Sequence, residues 1–483
     1  MPTYLGVDIG TQSSKGVLVG DDGTVLARAQ VEHATSYPAP GHVEHDAEGV
    51  WWHDFVHLTR ELGGTPDAVG VSGIGPVLLP ADADGRPLRP AILYGVDTRA
   101  TREVAELTER FGAAEILRRG GTPLSSQAVG PKIAWLRRHE PEVWDRTAML
   151  LMASSYLVHR LTGEYVLDQH SASQCDPLHD LDSADWAHDV ADEVAPGLAL
   201  PRLAWSTEVA GHVTAAAAAE TGLRAGTPVT SGTIDAWAEA ASVGVSGPGD
   251  TMVMYGTTMF LVQTAPAPAR HETLWSTRGL APGSFTTAAG MATGGAVTTW
   301  LRDLVGGDHA ALTAAAGEVP AGADGLLLLP YFAGERTPVF DPDARGVLIG
   351  LTTQHEAPAL YRAALEGIAH GVRHNLAAFP APDPRLVAVG GGTAGGVWTQ
   401  IVSDVTGLPQ DVPADTTGAA LGDAWLAAVA VGAGPDITTW NPVVGTVRPD
   451  PATRELHDAM HEHYRALYPA TRETAHFLAG LRR

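Results

Sequence analysis

The chain has 483 residues, a formal net charge of −24 and one cysteine, Cys175, which is length enough for two or three domains with sizeable cores. The charge argues against nucleic acid or an anionic membrane as the main partner. A lone cysteine permits no intrachain disulfide and points to a reducing compartment. The first residues lack the basic and apolar segments of a secretory signal, and no apolar run approaches the length of a bilayer span. The expectation is a soluble, cytoplasmic protein. Lys15 and Lys132 are its only lysines.

An apolar run from Tyr4 delivers Asp8 and Gly10 into a turn crowded with Thr11, Gln12, Ser13 and Ser14, and Gly16-Val-Leu-Val runs back out. The alternation predicts a meander with strands at 4–8, 16–19 and 25–31. Gly10 lets backbone amides approach an anion closely, and Asp8 can hold a cation by its carboxylate. Helical periodicity covers 98–118, 128–139 and 148–161. The stretch from Gln127 to Trp135 reads as structural. Residues 226–232 read as a buried strand feeding a Gly-rich turn and a helix from about Ala236. Asp235 at that junction has an ordinary role open to it, a helix cap worth about 1 kcal/mol.

Ser246-Gly-Pro-Gly-Asp250 is the clearest linker, so the boundary is placed there, with halves 1–245 and 246–483, a cleft between them and a hinge at 246–249. A second meander starts just after it, turning at Gly256, Thr257 and Thr258. Helices are expected at 357–376 and 396–406. The turn 390–396 formally satisfies G-x-G-x-x-G, with Asp411 and Asp415 about twenty residues on, which makes a dinucleotide site a rival reading of that motif alone. No P-loop, H-E-x-x-H or G-x-S-x-G sequence is present. His457 and His461 lie four apart in a strongly charged stretch, which suggests a solvated helix face.

Two phosphate-type hairpins half a chain apart resemble those of the FGGY carbohydrate kinases, a branch of the actin/hexokinase/Hsp70 superfamily. The resemblance covers nearly the whole chain. It implies an α/β fold of two ribonuclease-H-like (actin-like ATPase) domains, with sugar bound mainly by the first, ATP mainly by the second, and Mg²⁺ at Asp8. Asp235 takes the position of the catalytic base. The turn at Gly391 and Gly392, with Trp398, Gln400, Ser403 and Asp404 on the helix after it, corresponds to the adenosine site. Thr11, Gln12, Ser13, Gly256, Thr257 and Thr258 correspond to the phosphate hairpins. Gly334-Glu335-Arg336-Thr-Pro338 also matches the family's segment near the nucleotide.

Trp52, Gly75, Pro76, Asp97, Arg99 and Asp235 fall where the family binds its acceptor. The xylulokinase branch is nearest, yet Ser72-Gly-Ile-Gly-Pro76 puts Gly75 and Pro76 where that branch has Met-His. Loss of an imidazole partner can redirect specificity by orders of magnitude. D-Xylulose is therefore the first candidate, with ribulose, a polyol or a sugar acid as alternatives. A non-catalytic nucleotide-gated interaction protein is the rival from another class. Family precedent also allows a homodimer.

Overall fold

The computed structural model describes residues 1–481. The first sheet is built from β1 (Thr3–Ile9), β2 (Ser13–Gly20), β3 (Val25–Glu32), β4 (Ala68–Gly73), β5 (Val209–His212), β6 (Pro228–Thr230) and β7 (Thr233–Ile234). Its order is β5-β6-β4-β1-β2-β3, with β7 beside β4. β1 to β3 form the expected antiparallel meander, and β4 and β6 extend it in parallel from β1. β1 is covered on both faces, so its apolar residues run almost unbroken. β3 alternates half-buried with exposed side chains, as an outer strand with one wet face does.

The second sheet repeats the plan. β8 (Asp250–Tyr255), β9 (Met259–Ala265), β10 (Trp275–Arg278), β11 (Phe285–Met291), β12 (Arg385–Val389), β13 (Gln410–Pro413) and β14 (Val443–Val447) lie in the order β10-β11-β9-β8-β12-β13-β14. β8 pairs antiparallel with β9 and parallel with β12, as β1 does with β2 and β4. This is the doubled ribonuclease-H-like arrangement.

The two halves exchange helices. α1 (Asp235–Ser242) follows the first sheet, yet Ile234, Trp237 and Ala240 pack on Met252, Val262 and Val387 of the second. Two further helices, α2 (Ala357–Leu376) and α3 (Val397–Thr406), pack together on the second half. α4 (Ala419–Ala430) crosses back and buries Ala420, Leu421 and Ala424 against Tyr4, Val17 and Ala68 of the first sheet. Glycines set the spacing. A Cβ on Gly6 would lie 1.9 Å from the Ala420 carbonyl oxygen, one on Gly70 2.0 Å from that of Asp423, and one on Gly422 1.9 Å from that of Ala238.

Some expected elements divide. The helix expected over 98–118 breaks at Gly112, whose φ of 82° ends one helix and starts the next. The segment from 148 opens with a short strand, Met149–Leu151, before its helix. The C-terminal helix α5 (Arg454–Gly480) corrects a reading outright. His457 and His461 do not face solvent but are buried against α2, where His461 Nδ1 lies 3.3 Å from His370 Nδ1. Both ring nitrogens of His457 are buried without a partner. Burial pushes His457 and His461 down to about 4, and His370 well below its usual range.

The glycine contacts predict that Gly70→Ala costs about 3 kcal/mol in urea unfolding through overpacking. Gly445→Ala, with open space around its Cβ, should change stability little. For the histidines, folding lowers the pKa, so the unfolded chain takes up protons first and stability falls as pH drops from about 6.5 toward 4. His457→Leu loses no hydrogen bond, so it should match wild type at pH 7.5. At pH 5 it should retain on the order of 1 kcal/mol more of its stability than wild type does, read from urea midpoints.

Candidate active site

Asp8 is the next-to-last residue of β1, and the chain turns just after Ile9 because the Gly10 N–H donates to the Ser13 carbonyl at 3.0 Å. A Cβ on Gly10 would lie 2.7 Å from that oxygen. Thr11, Gln12 and Ser13 form this bend, and the Thr11 hydroxyl lies 3.0 Å from the Tyr94 hydroxyl. The second hairpin closes by Gly256 N–H donating to the Thr258 carbonyl at 3.1 Å. Its Gly256 and Thr257 carbonyls are occupied by amides of the following Gly294–Ala296 segment, which fixes the hairpin from behind.

Asp8, Lys15, Gly75, Tyr94, Gln127, Gln174, Asp235 and Glu239 from the first half face Thr258, Phe260, Trp275, Arg336, Gly391 and the segment 416–419 from the second. They line one cleft of about 700 Å³. Asp235 is the first residue of α1, and its Oδ1 accepts from the Ala236 N–H at 2.7 Å. Ile234 occupies the cap position, so the helix-cap role open to Asp235 in the sequence is not the one it plays.

Carboxyl groups dominate the cleft floor. Burial pushes Asp8 up to about 6, opposed by Lys15 and by a 3.3 Å hydrogen bond from the Ser72 hydroxyl. Burial, reinforced by Asp8, holds Asp235 and Asp423 well above the usual carboxylate range and Glu239 at about 7. Lys15 supplies the opposing charge. Opposite, burial pushes the Arg336 guanidinium down; its Nη2 donates to the Met291 carbonyl at 3.1 Å, while its Nε is buried without a partner.

Several expected site residues lie elsewhere. Trp52 stacks on Phe55 and donates to Glu220 at 2.8 Å beside a separate surface hollow. Asp97 accepts from the Val43 N–H at 2.7 Å, and Arg99 is bound to Asp97 and Glu44 over the Trp135 ring. Arg99 Nη1 is buried without a partner, and neither side chain lines the cleft. Pro76 is buried while Gly75 reaches the cleft. Trp398 packs edge-on against Tyr255 behind Gly392, so it backs the Gly-rich turn instead of lining the cleft. Gln400 donates to Asp404 and to the Arg448 carbonyl, and Asp404 accepts from the Asp450 N–H, bonds that anchor α3. Asp411 and Asp415 pair with Arg385 and Arg28.

Lys15, Tyr94, Gln127, Gln174 and Glu239 were not among the expected site residues, while Arg336 lies in the segment that the resemblance places near the nucleotide. Lys15 had a readable signal, since the hairpin register pairs it directly with Asp8 across β1 and β2. Gln127 opens the stretch to Trp135 that read as structural, yet it lines the cleft; Gln174, at the end of a short helix, had no signal.

A doubled sheet, two anion-type hairpins and an acid in one cleft can be compared with known proteins. Residues 3–244 match the N-terminal domain of the FGGY family of carbohydrate kinases, and residues 251–431 match its C-terminal domain. The chain belongs to the FGGY family of carbohydrate kinases. This kinase is 32% identical to a glycerol kinase of Nocardia farcinica over 91% of its own length and 94% of that protein. It is 31% identical to the xylulose kinase of Escherichia coli, covering 88% and 90% of the two chains. The crystal structure of xylulose kinase from Rhodospirillum rubrum superimposes with a TM-score of 0.92 at 34% identity, covering 98% of this chain and 100% of that one. The two-domain fold is therefore the actin-like ATPase fold of the FGGY kinases. No helix among the described residues is long and apolar enough to cross a membrane.

Proposed function

We propose that this FGGY kinase transfers the γ-phosphoryl group of Mg-ATP to a hydroxyl of a ketopentose, with D-xylulose the first acceptor to try. The observation that carries the reading is Asp235, a carboxylate of raised proton affinity in the cleft that Thr258 and Gly391 face from the other side. In this role Asp235 orients the acceptor hydroxyl and takes its proton as the phosphoryl group leaves ATP. The hairpin amides around Gly10 and Gly256 receive the phosphates, with Lys15 adding a positive charge from β2. The first half, to residue 245, then serves mainly the acceptor and the second mainly the nucleotide, with residues 246–249 as the hinge. Closure about that hinge keeps water from the γ-phosphate.

The donor set suits Mg²⁺. No three His, Cys, Asp or Glu side chains among the described residues are grouped to hold an ion by themselves. Mg²⁺ usually keeps several waters and binds through one or two carboxylates plus substrate phosphates, and Asp8 offers such a carboxylate. When bound, the ion would neutralise charge on the phosphates. Xylulose kinases, glycerol kinases and gluconokinases stand at similar identity to this chain, so a polyol and a sugar acid are acceptors to test beside the ketopentose. Gly75 offers an acceptor no side chain at all.

A coupled assay of ADP release across D-xylulose, L-xylulose, D-ribulose, L-ribulose, glycerol, erythritol and gluconate should give its highest kcat/KM with a ketopentose. A higher value with glycerol or gluconate moves the specificity, and silence across all of them with ATP bound points to an acceptor outside this set or to the non-catalytic rival. Asp235→Asn should lower kcat by about 100-fold or more with ATP binding retained; near wild-type turnover would remove it as the base. Lys15→Met should raise KM for ATP about tenfold and leave KM for the acceptor near its starting value.

A further inference from the structure

Two side-chain amides in the cleft have their orientations fixed by the backbone, in opposite senses. The Gly95 N–H donates to Gln127 Oε1 at 2.7 Å. An N–H can only donate, so the oxygen of Gln127 is turned inward and its NH₂ group is left with no protein partner among the described residues.

At Gln174 the chain of reasoning is one bond longer. His170 is fully buried, and its Nδ1 lies 3.1 Å from both the Thr277 hydroxyl, which can donate or accept, and the Arg278 carbonyl, which a lone pair on Nδ1 would face unfavourably. A carbonyl can only accept, so Nδ1 carries the proton and Nε2 of this neutral ring holds a lone pair. Gln174 Nε2 lies 3.1 Å from that His170 Nε2 and must be the donor. The Gln174 carbonyl oxygen is thus the end left without a protein partner among the described residues. His170 itself is immobilised, with its ring 3.9 Å from that of Trp237, a cleft-lining residue.

Both glutamines line the cleft that holds Asp235, and both are half-buried. We infer that Gln127 and Gln174 are specificity-determining residues that read hydroxyls of the acceptor other than the one phosphorylated, Gln127 as a donor and Gln174 as an acceptor. This rests on the kinase reading above and deepens it. The ligand chemistry is a neutral polyhydroxylated carbon chain, in which a hydroxyl can satisfy either amide. Such bonds discriminate well because an analogue lacking the hydroxyl leaves a desolvated polar group unpaired. With Gly75 bare, the pair provides polar contacts that the strand end before Pro76 does not.

Gln127→Glu isolates the assignment. It is isosteric and keeps an oxygen for the Gly95 N–H, but replaces the free donor with a carboxylate oxygen. With the best acceptor of the wild type, Gln127→Glu and Gln174→Leu should each raise acceptor KM at least tenfold, with KM for ATP within twofold. Each should also lose most of the wild-type preference for that acceptor over its singly deoxygenated analogues, an effect that a merely structural role would not produce. Direct titration of the acceptor without ATP, followed by tryptophan fluorescence, should weaken in parallel. Wild-type turnover reports on the kinase reading, and the variant-to-wild-type ratio reports on the amides. Unchanged acceptor KM and unchanged deoxy discrimination in both variants would overturn the inference.

Discussion

The close crossing of α1 and α4 is the constraint on which the rest of the molecule depends. Backbone meets backbone there because Gly422 carries no side chain, and Gly6 of β1 and Gly70 of β4 let α4 lie equally close on the first sheet; a methyl group at any of the three would lie about 2 Å from a carbonyl oxygen. The crossing inserts each half's helix against the other half's sheet. It thereby fixes where Asp235, at the start of α1, stands relative to Asp8, near the end of β1. It also carries Asp423 on α4 to within 2.7 Å of the Ser72 hydroxyl, which bonds Asp8 in turn. The geometry of the cleft floor is a consequence of helix packing.

That packing concentrates like charge. Asp8, Asp235, Glu239 and Asp423 share a region where burial disfavours ionisation, and the charge of Asp8 raises that cost further for the other three. Lys15 is the near counter-charge, which explains why one of the two lysines of the chain stands opposite Asp8 in the hairpin register. A site so arranged favours cationic or proton-donating partners, and a metal-bound phosphate beside a hydroxyl is both. The molecule's overall negative charge is therefore no obstacle to binding an anionic nucleotide: local geometry, not net charge, sets the field in the cleft.

The fold was largely legible because its signals are local. The alternation in β1 to β3, the glycine turns at 10 and 256, and the long apolar periodicity of α2 each follow from a short window of sequence. Asp8 stood out for the same reason, near the end of a strand beside the Gly10 turn, whereas Asp235 read locally as a helix cap and was singled out as the base only by the family resemblance. What failed to show was contact between distant segments. Trp52, Asp97 and Arg99 carry acceptor-like chemistry, but their partners Glu220, Val43 and Glu44 consume it. Trp398, Gln400 and Asp404 sit on the expected helix with their side chains spent on anchoring it. His457 looked solvated from its charged neighbours in sequence, whereas its neighbours in space are His370 and α2.

The exchange of helices also orders events during synthesis. The face of the first sheet formed by Tyr4, Val17 and Ala68 is complete near residue 70, but its cover, Ala420 to Ala428, is made some 350 residues later. Until then an apolar surface lined by Gly6 and Gly70 stands open on the nascent chain, the kind of surface that attracts other chains or a chaperone. Folding of the first half cannot finish as an independent unit, despite its own sheet. The last step that seals it is also the one that sets Asp423 beside Ser72, so closure of the core and assembly of the cleft floor occur together.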